Sequence, residues 1–283
     1  MELCHYTNLN GLHGIITSKS IWATNYSFLN DLEEFNYGLC CLENFLNGPP
    51  SEEHLSSWRA HLSKVMDYIK ANDLPEIYST SFCKSKDLLS QWRGYGQQGV
   101  CVVFDRKLMN GIGWWNYNSF NTTSGQENSI IPRFELYYND VEYLEKGTEW
   151  EFFSRTLNKI MKNYQDFYER QPLSDGIDEG LRARLFGLIV PFIKTFSFRE
   201  EGEFRLAALQ VNNKSDIKFR CGNGLLIPYI ELSVQENILP ITEVVIGPGV
   251  NSALVEKGVR MLLDNNGYNN IKISRSSIPY RGW

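Results

Sequence analysis

The sequence predicts a mixed α+β fold carrying helical insertions. Three observations lead there. Short apolar strands lie at both ends of the chain, Leu3 to Thr7 and Ile271 to Ser274. Helical periodicity dominates two blocks between them, about 31–72 and about 148–190. No linker is long or polar enough to split the 283 residues, and no internal repeat is visible. Strands at both ends with helical blocks between them favour one α+β domain over residues 1–283.

The elements follow in order. Leu3-Cys4-His5-Tyr6 starts the core almost at the first residue. Asn8 is placed to cap a helix whose Leu9, Leu12, Ile15 and Ile16 share one face. Ile21-Trp22-Ala23-Thr24 reads as a second strand. Helical periodicity then runs over about 31–46 and 52–71, broken at Asn47-Gly48-Pro49-Pro50. Ile77 to Cys83 is a strand, Leu88 to Tyr95 a short helix, and Val100 to Phe104 a strongly apolar strand. Residues 110–133 are rich in Gly, Asn, Ser and Thr and read as a surface loop before strand-like Phe134 to Tyr138. Thr148-Glu149-Trp150-Glu151 has the form of a capping box. It would open a helix striped by Phe153, Leu157, Ile160, Met161, Tyr164 and Tyr168, and another helix runs from about Asp178 to Ile189. Strands at Glu203 to Gln210, Leu225 to Leu232 and Val244 to Ile246 precede a helix, Ser252 to Asn265, closed by Gly267.

Composition excludes several classes. Hydrophobic residues make up 42%, with 16 Phe, 15 Tyr and 7 Trp, so the chain buries a core and is not disordered. The formal charge of −5 provides no global field for nucleic acid or membrane, and a nucleic-acid partner would need the local basic stretch from Arg182 to Arg220. The six cysteines follow no disulfide or zinc spacing, and Cys4, Cys83 and Cys101 read as core residues. No charged-then-apolar leader opens the sequence, and no apolar run nears the roughly 18 residues of a membrane helix, so a reducing cytoplasm is the expected compartment. None of the four histidines has a metal-ligand spacing, so no metal is expected. Gly94-Tyr95-Gly96 and Gly111-Ile112-Gly113 do not extend into a phosphate loop or a dinucleotide fingerprint.

Five segments remain that concentrate chemistry: His5-Tyr6-Thr7, Asn30-Asp31-Leu32-Glu33-Glu34, Gln91-Trp92-Arg93-Gly94-Tyr95-Gly96, Glu200-Glu201-Gly202-Glu203-Phe204-Arg205, and Ser277-Ile278-Pro279-Tyr280-Arg281. Singly, each has a plain structural explanation. His5 is a hydrogen-bonded strand residue, Asn30-Asp31 a helix cap, Trp92 and Tyr95 core, the acidic run a solvated turn, and the last segment a tail. Together they sit at strand ends and strand-to-helix turns, where a rigid sheet presents side chains. Glu201 and Glu203, two apart, fall on one side of an extended segment. Such a pair raises the pKa of one member and suits acid/base or cation-stabilising work.

The ordered motifs H-Y-T, N-D-x-x-E, W-x-x-Y, E-x-E-F-R and S-x-I-P-Y-R resemble those of a large bacterial family described only as a domain of unknown function. The resemblance spans nearly the whole chain. It picks out His5, Tyr6, Thr7, Asn30, Asp31, Glu34, Trp92, Tyr95, Glu201, Glu203, Arg205, Ser277, Pro279, Tyr280 and Arg281. The position after Asp31, often Pro in that family, is Leu32.

A second, more distant resemblance bears on activity. A strand-end His, a mid-chain aromatic motif and a late strand Glu are similar to the His–Tyr–Glu layout of ADP-ribosyltransferases, and the opening is similar to that of DarT-type toxins that modify DNA. This resemblance implies a split, mixed β-sheet core with NAD as the substrate. His5 and Thr7 would hold the adenosine ribose, and Tyr95, or Trp92 in its place, would stack on nicotinamide. Glu203 would be catalytic and Glu201 would position or deprotonate the acceptor. Arg205 or Arg281 would bind the pyrophosphate. The partner would be a macromolecular acceptor, protein or nucleic acid, with an antitoxin or regulatory protein as a further partner, in a toxin or anti-phage role. Gly202 between the carboxylates would loosen a segment that ought to be preorganised. Two other functions compete: a non-catalytic sensor or partner-binding module, and a magnesium-dependent nuclease using Asp31, Glu34, Glu201 and Glu203.

Overall fold

The computed structural model describes residues 2–29, 32–48, 63, 67, 76–95, 99–105, 134–156, 189–210, 217–222, 224–234, 238–249 and 251–279, without the side chains of 32–35, 134–135 and 210. Asn30, Asp31, Tyr280 and Arg281 lie outside the described residues, as do the loop at 110–133, the helix expected near 178–188 and, apart from Ser63 and Asp67, the helix expected at 52–71.

Two sheets organise the chain. The first has four strands in the order β1 (Glu2–Thr7), β4 (Val100–Asp105), β11 (Ile241–Ile246) and β12 (Lys272–Arg275). Only its β11–β12 pair is parallel. The second has six antiparallel strands in the order β5 (Phe134–Asp140), β8 (Phe204–Gln210), β3 (Ile77–Phe82), β2 (Ser20–Asn25), β10 (Leu225–Ser233) and β9 (Lys218–Gly222). A short parallel pair, β6 (Glu142–Leu144) and β7 (Ile193–Thr195), stands apart.

Helix α1 (Leu9–Ser18) joins β1 to β2. Its start is fixed by Asn8, whose side chain accepts from the Gly11 N–H at 2.8 Å. It ends at Lys19, which takes a left-handed φ of 52°. Its Leu12, Ile15 and Ile16 are buried with Leu3, Val102 and Phe104 of the first sheet and Ile21, Ala23, Tyr78 and Leu206 of the second. The core therefore lies between the sheets. Strand β4 is buried from Val100 to Phe104, which is why its sequence is continuously apolar rather than alternating. Each such side chain contributes about 1.5–3 kcal/mol by leaving water. Cys4 and Cys83 exchange two backbone hydrogen bonds, 2.9 and 2.7 Å, tying the end of β3 to β1.

The opposite face of the second sheet is covered at one end. Helix α2 (Leu32–Asn47) packs Cys41, Leu42 and Phe45 over Ile77, Ala207 and Leu209, with Phe153 and Ile193. Along β3 this face runs Ile77, Ser79, Ser81, while Tyr78 and Phe82 enter the core between the sheets. The cover thus gives way to hydroxyl side chains. Strands β2 and β3 pair at only two positions, Thr24 with Ser79 and Asn25 with Tyr78. Residues past that short pairing, Trp22 on one strand and Thr80 and Ser81 on the other, line a cavity.

Most expected elements are found within a residue or two of their expected bounds, including Ser252–Asn265 and the positive φ of 87° at Gly267. The Thr148 capping box is corrected. Residues 149–156 are helical, but the Thr148 hydroxyl donates to the Glu145 carbonyl at 2.8 Å, and it is Glu149 that reaches back, accepting from the Gly147 N–H at 2.6 Å.

Candidate active site

The cavity has a volume of about 590 Å³, within the range of small-molecule sites. His5 and Thr7 of β1, Tyr95 after helix α3 (Leu89–Gly94), and Glu201, Glu203 and Arg205 at the start of β8 all line it. Segments about 200 residues apart in sequence therefore meet in one place.

The centre is a buried ionic network. Glu203 accepts from Arg205 Nε at 2.6 Å on one oxygen and from its terminal nitrogen at 2.9 Å on the other, a bidentate pair. Lys194 Nζ lies 2.7 Å from Glu201 and 3.5 Å from Glu203. Lys194, Glu203 and Arg205 are each at most 3% exposed, whereas the Glu201 side chain is 17% exposed. Burial alone would raise the Glu203 pKa. Arg205, Lys194 and a hydrogen bond from Ser81 outweigh it and hold the carboxyl below its usual range. Glu203 is thus not the raised member of the expected carboxylate pair, because an arginine clamps it and a lysine sits between it and Glu201.

The geometry between them also differs from an extended segment. Glu201 ends a 3₁₀ helix, Phe196–Glu201, and Gly202 follows with φ 50° and ψ 47°. That left-handed conformation favours glycine. Gly202 therefore builds the turn that brings both carboxylates to Lys194. It does not loosen the segment. The Tyr143 hydroxyl accepts from the Glu203 N–H at 2.8 Å and fixes its backbone.

Arg205 is equally committed. Beyond Glu203, one terminal nitrogen donates to the Tyr26 hydroxyl and to the Pro191 carbonyl, both at 2.7 Å. Four N–H bonds are thus directed at protein acceptors, so Arg205 orients Glu203 and is not the pyrophosphate clamp expected of it.

His5 is half-buried, and its Nδ1 lies 2.9 Å from the Ser81 carbonyl. A carbonyl only accepts, so Nδ1 carries the proton and Nε2 is left as an acceptor. Burial outweighs that hydrogen bond and lowers the His5 pKa, which keeps the ring neutral. Ser81 links both candidate ends, its carbonyl to His5 and its hydroxyl to Glu203.

Two aromatic residues of the motifs have structural duties. Trp92 is fully buried, donates its indole N–H to Asp87 at 2.7 Å and meets Tyr6 edge-on at 4.7 Å. It is core and does not line the cavity. The Tyr6 hydroxyl donates to the Ser85 carbonyl and accepts from the Leu88 N–H, both at 2.9 Å, which commits it to the loop before α3. Asp87 also accepts from the Ser277 N–H and hydroxyl, at 2.8 and 2.9 Å. The Trp92 and Ser277 motifs are therefore joined through Asp87, which carried no motif signal. Tyr95, 44% exposed, lines the cavity wall, as does Tyr6.

Several wall residues were not expected: Lys194, Arg220, Trp22, Ser79 and Thr80. Trp22 Nε1, Ser79 Oγ and Thr80 Oγ1 are buried atoms without a hydrogen-bond partner among the described residues. Buried polar atoms are nearly always satisfied, so three in one wall mark unmet hydrogen-bonding capacity. Among the described residues, no three His, Cys, Asp or Glu side chains gather as a metal-ion site. No helix of the described residues is long and apolar enough to cross a membrane.

Residues 91–206 match the family model DUF2971, described as a protein of unknown function. The match is consistent with the family resemblance of the motifs. The DUF2971 segment contains Trp92, Tyr95, Glu201, Glu203 and Arg205, and so supplies the ionic centre, while His5 reaches it from outside the segment. No curated protein and no solved structure matches the chain.

Proposed function

We propose that the cavity binds NAD and breaks the nicotinamide–ribose bond, passing the ADP-ribosyl group to a macromolecular acceptor or to water. The observation that supports this best is the meeting of His5, Tyr95, Glu201 and Glu203 at one cavity. The two sheets, with the cavity where β2 and β3 stop pairing, are compatible with the split core of an ADP-ribosyltransferase-like fold.

The chemistry follows from the groups present. His5 Nε2 accepts a hydrogen bond from an adenosine ribose hydroxyl, with Thr7 beside it. Tyr95 packs on nicotinamide. As the C–N bond breaks, its electron pair leaves with nicotinamide and positive charge develops on the ribose, as in glycoside cleavage. Glu203, clamped and ionised, is a fixed anion for that charge and needs no reorganisation. The acceptor attacks the sugar and its proton passes to Glu201, the more open carboxylate.

Nicotinamide release from NAD tests this, with protein, DNA and RNA supplied as acceptors. Wild type should release nicotinamide, and Glu201→Gln and Glu203→Gln should lower the rate on the order of a hundredfold or more. Equal rates in all three proteins, or no release by wild type, would overturn the proposal.

The saturation of Glu203 by Arg205 favours one alternative, a non-catalytic module that binds a ligand or partner in the same cavity. It predicts ligand binding without nicotinamide release. A magnesium-dependent nuclease draws less support, since the Lys194 ammonium occupies the space between Glu201 and Glu203 where a cation would sit.

A further inference from the structure

We infer that Arg220 and Trp22 form an anion-binding subsite in this cavity, built for the phosphate oxygens of a nucleotide. This rests on the NAD reading for the identity of the nucleotide, but the anion site itself stands on separate observations.

Arg220 lies on the edge strand β9 and is exposed, yet it lines the cavity. One terminal nitrogen donates to Thr24 Oγ1 at 3.1 Å. That bond, the one Arg220 makes among the described residues, aims the guanidinium across the sheet and leaves further donors of its planar fork available. Its central carbon is 6.0 Å from the Trp22 ring centroid. Trp22 is also in the wall, and its indole N–H is buried with no acceptor among the described residues. An indole nitrogen only donates, so its missing partner must be an acceptor. The ring is held in place by Tyr229, 4.7 Å away between centroids, and by helix α1, where a Cβ on Gly14 would approach the indole to 2.6 Å.

Glu231 stands opposite Trp22 across the sheet, and Lys218 neutralises it at 2.7 Å. In the ionic centre, Lys194 and Arg205 balance Glu201 and Glu203. Among the described lining residues, Arg220 therefore adds a positive charge that the others do not offset. A cationic fork 6.0 Å from the centroid of the ring that carries a desolvated N–H donor suits a diphosphate, which offers several oxygens as acceptors for both. A neutral ligand would use the indole N–H but leave the guanidinium unused.

Calorimetric titration with inorganic pyrophosphate, ADP and adenosine tests the inference on wild type, Arg220→Gln and Trp22→Phe. Trp22→Phe keeps an aromatic ring and removes the donor together with part of the indole's volume, so its unfolding midpoint is also checked against wild type. Wild type should bind pyrophosphate and ADP, with affinity falling as salt rises. Arg220→Gln should weaken both about tenfold or more, and Trp22→Phe about threefold to tenfold, while adenosine binding stays within about twofold. Arg220→Gln lies on an exposed edge, and its unfolding midpoint is checked against wild type. Equal pyrophosphate affinity in wild type and Arg220→Gln, or no pyrophosphate binding by wild type, overturns the subsite. If wild type releases no nicotinamide from NAD but loses pyrophosphate with Arg220→Gln, the subsite stands and the transfer reading falls. If wild type releases nicotinamide and Arg220→Gln binds pyrophosphate unchanged, only the subsite falls.

Discussion

At the residue scale, Glu203 and His5 are held in opposite protonation-dependent balances. Glu203 is ionised because Arg205 and Lys194 outweigh its burial. Removing its charge takes the bidentate partner from buried Arg205, while Lys194 keeps Glu201, and Glu203→Gln should cost on the order of 3–5 kcal/mol, read as a lowered denaturant midpoint. Glu201→Gln, at a more open position beside Lys194, should cost clearly less. Similar losses for both would show that the clamp by Arg205 adds nothing. His5 has its pKa lowered by burial. The unfolded chain therefore takes up a proton before the folded one does. The stability tied to neutral His5 is whole above the ordinary value of about 6.5 and is lost as the pH falls from there through the folded value. Between about pH 7 and pH 5, wild type should lose more thermal midpoint than His5→Asn, which keeps a donor for the Ser81 carbonyl. Parallel curves would contradict the assignment.

At the element scale, close backbone approaches set the relation of β1 to its neighbours. A Cβ on Gly99 would lie 2.2 Å from the Thr7 carbonyl oxygen, so β1 must move to admit one. Gly99→Ala should destabilise by about 1–3 kcal/mol and also weaken ligand binding, because His5 and Thr7 move with the strand. Binding unchanged beside a lowered midpoint would detach β1 from the site. The strands β1, β2, β3, β4, β8, β10 and β11 and the helices α1 and α2 were legible because their periodicity or apolar runs reflect a buried face. The edge strand β9 was not. Lys218, Phe219, Arg220 and Cys221 are all exposed, so nothing in their order records a core, and pairing with β10 alone makes them a strand. The short β6 and β7 were missed for want of length. The 3₁₀ turn at Phe196–Glu201 was missed because its shape depends on Lys194 and on the left-handed Gly202.

At the scale of the whole molecule, the site is a property of topology. His5 is brought to Glu203 because β1 is bridged to the end of β3 at Cys4 and Cys83, and β3 pairs with β8 so that Ser81 faces Arg205. The sequence named His5, Thr7, Tyr95, Glu201 and Glu203 by residue type and motif order, and these do line one cavity. It misassigned Trp92 and Arg205, since an indole in the core and one at a ligand look alike until Asp87 is seen to take its N–H. It missed Lys194, Trp22 and Arg220 because each becomes chemical only through a neighbour distant in sequence. The proposed NAD site puts the scissile bond at the carboxylate pair. A crystal structure with a non-cleavable carbocyclic NAD analogue is the sharpest check. The expected density has a nucleoside hydroxyl on His5 Nε2, the pyrophosphate at Arg220 and the nicotinamide-bearing ring beside Glu203 and Glu201. An analogue bound elsewhere, or bound here with its nicotinamide end away from both carboxylates, would contradict it.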